Sequence, residues 1–216
     1  MKTTLPWVTL FSALVLVSCA SKNDANEKNF TQALNAYLAQ KGNLCLGIPS
    51  AWPVDLNEAE RRSGIGRAAE MAALEKAGLV RSREMETEYT PPLSGHPIKV
   101  KVLRYELTED GKKFYRTKET IPLVSTNGTH GDLCYGQQTV AKIIKWDGPT
   151  AVGESKDATV FYTYKIEGLA TWAQNPEIQN VFPGVLTTIN GAGKTQMNQA
   201  VTLTDTGWQA KGLNTP

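Results

Sequence analysis

The chain has 216 residues, of which 41% are hydrophobic and 20% charged. That is the composition of a folded globular protein and excludes a wholly disordered chain. With 23 basic and 21 acidic side chains, it has no electrostatic footprint for nucleic acid or an acidic polymer as a bulk partner.

In chain order, Lys2 and the amino terminus form a short positive region, followed by thirteen mostly apolar residues from Leu5 to Val17. At roughly 1.5 Å per helical residue this run is too short for a bilayer core of about 30 Å. It ends in Leu16-Val17-Ser18-Cys19, which resembles the lipobox of bacterial lipoproteins. The resemblance implies cleavage after Ser18, a diacylglycerol on the Cys19 thiol and a third acyl chain on its amine. Several acyl chains hold a soluble domain stably to a membrane. Ala20 stands where inner-membrane lipoproteins of enteric bacteria often carry Asp, which implies the periplasmic face of the outer membrane. Cleavage leaves 198 residues and removes Lys2 alone among the charged side chains.

Ala20 to Asn29 is polar and reads as a tether. Asn29 and Gln32 stand as a capping pair for a helix from Phe30 to Lys41, whose stripe of Phe30, Ala33, Leu34, Tyr37 and Leu38 faces a core. Two short stretches then echo one another, Asn43-Leu44-Cys45-Leu46-Gly47 and Asp132-Leu133-Cys134-Tyr135-Gly136. With Cys19 acylated, Cys45 and Cys134 are the remaining thiols of an exported chain, and a disulfide between them is expected. A redox or metal-binding pair would call for CxxC spacing or an adjacent histidine cluster. A second echo, Leu107-Thr108-Glu109-Asp110-Gly111 and Leu203-Thr204-Asp205-Thr206-Gly207, is compatible with two related modules or with two strand-to-turn junctions.

Leu56 to Ala77 reads as a helical block broken at Ser63-Gly64-Ile65-Gly66, ended by Gly78, and followed by an extended segment, a loop over residues 90–97 and a strand from Ile98 to Leu107. The run from Leu74 to Val80, then a hairpin, then Tyr105 to Tyr115, resembles a winged-helix motif. That resemblance implies a helical first half. Arg61, Arg62 and Arg67 would be its phosphate contacts and Arg81 and Arg83 would serve the wing, but Glu58, Glu60, Glu70, Glu75, Glu84, Glu86 and Glu88 neutralise them, and an exported chain meets no genome. A scaffold for protein contacts is expected instead, with no nucleic acid.

The second half reads as an antiparallel sheet. Strands are expected over Thr139 to Trp146, before a turn at Asp147-Gly148-Pro149, over Ala158 to Ile166 and over Gln199 to Leu203. Leu169 to Asn190 inserts short helices divided by Pro176 and Pro183. Gly191-Ala192-Gly193-Lys194-Thr195 ends like a phosphate-binding loop, yet Thr188 stands where the earlier glycine is needed. His96 and His130 sit in expected loops without a nucleophile elbow or a paired ligand motif, so no catalytic, cofactor-binding or metal-ligating residue is selected.

The expected protein is α+β: a signal peptide over 1–18, an acylated tether over 19–29, a helix-rich, winged-helix-like module over 30–125 and a sheet-rich module over 126–216. Its expected role is a non-catalytic binding or scaffolding component of the envelope, contacting another protein or the cell wall. The alternative is a hydrolase or other enzyme acting on an envelope polymer, marked by a pocket joining His96 or His130 to a buried carboxylate. An apolar patch around Trp52, Trp146 or Trp172 would instead mark a partner interface.

Overall fold

The computed structural model describes residues 21–48, 50–91, 95–117, 130–153 and 155–213; the signal segment and Cys19 lie outside them. In chain order the elements begin with α1 (Glu27–Lys41), β1 (Asn43–Cys45), β2 (Ser50–Ala51), β3 (Val54–Asn57), α2 (Glu58–Ser63) and α3 (Arg67–Lys76). Then come β4 (Val80–Tyr89), β5 (Ile98–Leu107), α4 (Glu109–Phe114), β6 (Tyr115–Thr117), β7 (His130–Val152) and β8 (Ser155–Glu167). A 3-10 turn (Thr171–Gln174), α5 (Pro176–Val181), α6 (Pro183–Gly191), β9 (Gln196–Thr204) and β10 (Gly207–Ala210) complete the described chain.

Sheet dominates, in two antiparallel layers. The larger, seven-stranded sheet runs β1-β7-β8-β9-β10, with β2 and β6 also paired to β7. Its spine is the 23-residue β7, whose pairing with β8 shifts register between Val140 and Lys142, Ile143 and Lys145, and Asp147 and Thr150. Each shift bends the strand and increases its twist, so the sheet curls around α1. The expected turn at Asp147-Gly148-Pro149 is one of these irregularities, and the strand reverses only at Gly153.

Asn26 caps α1 by accepting the Asn29 N–H, and the helix lays Phe30, Ala33, Leu34 and Leu38 into the curl. They meet Val140, Ile143, Val160, Tyr162, Tyr164, Val201 and Trp208. Phe30 is fully buried, with ring centroids 5.3 Å from Trp146 and 5.1 Å from Trp208. At the other end of α1 a Cβ on Gly42 would stand 2.6 Å from the Leu38 carbonyl oxygen, so only glycine lets the chain turn there into β1.

A second core gathers Val54, Leu56, Met71, Leu74, Leu79, Val80, Tyr105, Leu133, Tyr135, Trp172, Ile178 and Val185. It joins α3, α5 and α6 to the three-stranded sheet β3-β5-β4 and to the start of β7. Pro176 and Pro183 open α5 and α6, where a missing N–H costs nothing. Both cores draw residues from either side of residue 125.

The helical, winged-helix-like first half is not found. A strand, two helices and a hairpin do follow one another locally, but α1 packs on β7 and β10 of the other core. The short α2 buries no side chain, which leaves α3, and Phe114 at the end of the short α4, as the helical share of the first half in the second core. The block expected to start as helix at Leu56 instead begins as β3, with Val54 and Leu56 buried and paired to β5.

Ser21 to Asn26, expected as tether, is folded. The Trp208 indole N–H donates to the carbonyls of Asn23 and Asp24, at 3.3 and 3.1 Å, and Lys22 Nζ donates to the Asp205 carbonyl at 2.5 Å.

Candidate functional site

A feature of the surface that the cores leave unused is the tip of the β4–β5 hairpin, whose root supplies Val80 and Tyr105 to the second core. The strands pair over ten positions, from Val80 opposite Leu107 to Tyr89 opposite Ile98. β3 reaches only Val102 to Tyr105 of β5, so beyond Val102 the hairpin projects as a two-stranded arm among the described residues.

Side chains alternate across a strand pair, and here the alternation separates two chemistries. One face carries Met85, Thr87 and Tyr89 opposite Val102, Val100 and Ile98. Tyr89 is 51% exposed and Ile98 is 48% exposed. The other face pairs Glu86 with Lys101 and Glu88 with Lys99, opposite charges whose cross-strand attraction suits an arm that has no core beneath it.

At the root, on the apolar stripe's face, Asp55 receives two bonds from Arg104, at 2.7 Å from Nε and 2.6 Å from Nη2. The Asp55 bond raises the Arg104 pKa, against a smaller opposing effect of burial. Arg83 and Arg81 approach the two oxygens of Glu106 at 2.8 and 3.5 Å. This charged row locks β3, β4 and β5 together and leaves the apolar stripe at the tip.

The arm's other face borders an open groove of about 460 Å³ against α2, lined by Leu56, Leu103, Glu58, Arg61, Glu84 and Lys101 among others. Arg61 bridges it to Glu84 at 3.7 Å. Beside it, in the turn between α2 and α3, Ile65 is 74% exposed between Gly64 and Gly66, which adopt φ of 64° and 56°. The groove holds carboxylates and cations but no histidine or cysteine, so it can bind and has no evident nucleophile. Among the described residues, no three of His, Cys, Asp and Glu converge as a metal site requires.

The residues singled out in the sequence lie elsewhere. Cys45 and Cys134 are cross-strand neighbours joined as a disulfide between β1 and β7. Asp132, only 3% exposed, accepts the N–H of Gly47 at 2.9 Å and of Ile48 at 3.4 Å, a clasp on the chain leaving β1. His130 pairs with Ala51 at the start of β7; its side chain lies outside the described residues. His96 is exposed on the β4–β5 connection. In the stretch resembling a phosphate loop, the Gly193 N–H is bonded to the Tyr164 carbonyl and those of Lys194 and Thr195 to the Gly191 carbonyl. No amide there is left to cradle a phosphate.

Trp52, Trp146 and Trp172 do not form a surface patch. Trp172 is buried edge-on to Phe114 and Tyr135, Trp146 packs on Phe30 and Trp52 packs against the second core. The exposed stripe was legible as the alternation Met85, Thr87, Tyr89, but Glu84, Glu86 and Glu88 between them made the segment look like one solvated face. Compared with protein-family models, curated proteins and solved structures, the chain matches none.

Proposed function

We propose that this chain is an exported, outer-membrane-anchored lipoprotein, acylated at Cys19, that acts as a non-catalytic binding or scaffolding component of the cell envelope. Its β4–β5 arm engages another envelope protein. The observation that carries this is the exposure of Tyr89 and Ile98 on a strand pair that, among the described residues, no third strand covers. Burying the exposed half of each of these side chains on a partner would contribute about 1 kcal/mol each. Glu84, Glu86 and Glu88 along the same strand guard it against indiscriminate pairing. The lipobox, and a pair of thiols consumed in a disulfide, support export.

The test is photocrosslinking in intact cells, with the reactive residue placed at Tyr89, at Ile98 or, as a control on the large sheet, at Asn198. A single identified envelope protein attached at Tyr89 and Ile98 but not at Asn198 supports the proposal. Identical adducts at all three positions, or none at any, overturn it. In the same cells Cys19→Ala should move the chain from the membrane to the soluble fraction; continued sedimentation with membranes overturns the anchor.

A further inference from the structure

We propose that the strap Ser21 to Asn26, together with the β9–β10 turn, forms a face that lies on the phospholipid bilayer and holds the protein in one orientation. This rests on the lipoprotein reading of Cys19. A lipoprotein's tether ordinarily leaves its domain free to tumble: ten flexible residues give a root-mean-square reach of about 17 Å. Here the slack is taken up. Ser21, the first described residue, donates its N–H to Asp24 Oδ2 at 2.8 Å and its carbonyl accepts from Asn29 Nδ2 at 2.9 Å. Asn29 Nδ2 also donates to the Asp24 carbonyl at 2.8 Å.

The strap is fastened to residues far along the chain. Lys22 Nζ and the Trp208 indole bond across sequence separations of 183 to 185 residues. A Cβ on Gly207 would stand 3.2 Å from the Lys22 carbonyl oxygen, so the strap lies flat against the hairpin. From Cys19 to Ser21 there are two Cα steps, about 8 Å at full stretch. Acyl chains on Cys19 therefore bring the strap and the exposed Asp205-Thr206 turn against the headgroups.

The surface there is polar at its rim. A groove of about 270 Å³ between α1 and the β9–β10 hairpin is lined by Lys22, Asn29, Gln32, Thr206 and Gln209 among others; its amide and hydroxyl groups can bond phosphate and glycerol oxygens, while the exposed carboxylates of Asp24 and Asp205 beside Lys22 favour the cationic amines of zwitterionic headgroups. The orientation has a result at the opposite pole. From Glu27 to Leu38 α1 rises about 17 Å, and the Leu38 carbonyl accepts from the Gln137 side chain, two residues beyond Tyr135 of the second core. The root of the β4–β5 hairpin, at Val80 and Tyr105, belongs to that core, so in this orientation the arm is displayed away from the bilayer that anchors the protein.

The test uses the acylated protein in vesicles of phosphatidylethanolamine and phosphatidylglycerol. Thr206→Cys and Glu88→Cys are labelled with the same fluorophore, and lipids spin-labelled at the headgroup act as quenchers. The Thr206→Cys label should be quenched several-fold more than the Glu88→Cys label. Ten Gly/Ser residues inserted between Ala20 and Ser21 should bring the ratio close to one. Equal quenching without the insertion overturns the fixed orientation, even though the protein cosediments with vesicles. Failure of the acylated protein to cosediment overturns the lipoprotein reading itself, so the two failures are distinguishable.

Discussion

Replacing both Cys45 and Cys134 by serine should lower stability without changing the fold. The bond closes a loop of 89 residues, for which chain entropy gives about 4.6 kcal/mol, while measured disulfides deliver nearer 2–4 kcal/mol. The native pairing it reinforces survives without it. Asn43 still faces Gln137 and Leu44 still faces Gly136, the Leu46 N–H still reaches the Leu133 carbonyl at 3.0 Å, and Asp132 still clasps Gly47. The loss therefore falls on the reference state: an unfolded chain freed to separate β1 from β7. For a chain of this size, about 2–4 °C of melting temperature accompanies each kcal/mol, so the double variant should melt roughly 4–16 °C lower. Tryptophan fluorescence followed through thermal unfolding is the assay, with wild type in reductant expected to overlay the variant. Coincident midpoints for the variant and the oxidised wild type would refute this reasoning, as would two reactive thiols in the oxidised wild type after unfolding.

Gly111→Ala and Gly184→Ala should move stability in opposite directions. A Cβ on Gly111 would stand 2.0 Å from the Leu79 carbonyl oxygen, which the Thr108 N–H and Oγ1 already hold in place, so a loss of about 1–3 kcal/mol is expected. Gly184 is in α6 with open space around it, and alanine there should gain about 0.4–1 kcal/mol; thermal melts shifted the same way would contradict both. Asp157→Asn should matter only above acid pH. Lys211, then Thr202, hold the native Asp157 carboxyl below its ordinary value of 3.8, so the unfolded state binds the proton more readily. The difference in melting temperature between wild type and variant should be complete above pH ~4 and close as pH falls through the lowered native value; a gap constant from pH 7 to the lowest accessible pH would refute it.

Local signals reported well and long-range ones poorly. The stripe of α1 was legible because 3.6-residue periodicity survives any tertiary context, yet its start was placed late. Asn29 looks like a cap in sequence, but it spends its side chain on the strap, and Asn26 caps the helix. The helix–helix–hairpin order that resembles a winged helix is present locally. What decides the architecture is which sheet α1 joins, a choice made by β7 and β10 more than a hundred residues away. The echo of Leu107 to Gly111 in Leu203 to Gly207 resolves into unlike structures. Thr108 caps α4, whereas Thr204 braces the β9–β10 hairpin by bonding the Gly207 carbonyl at 2.8 Å. The arm was hidden for the opposite reason: its apolar face is marked by only every second residue, and the residues between are all charged.

The contact of Phe30 with Trp208 also sets an order of events during biogenesis. Phe30 is synthesised 178 residues before Trp208, so the core around α1 cannot close until β10 has been made. Contacts of such long sequence separation form slowly. Until β10 docks, Phe30 lies open on one side and the unclosed sheet edge is vulnerable to pairing with another chain. The first half of the chain therefore emerges needing protection, and its last strand is the part that ends the need.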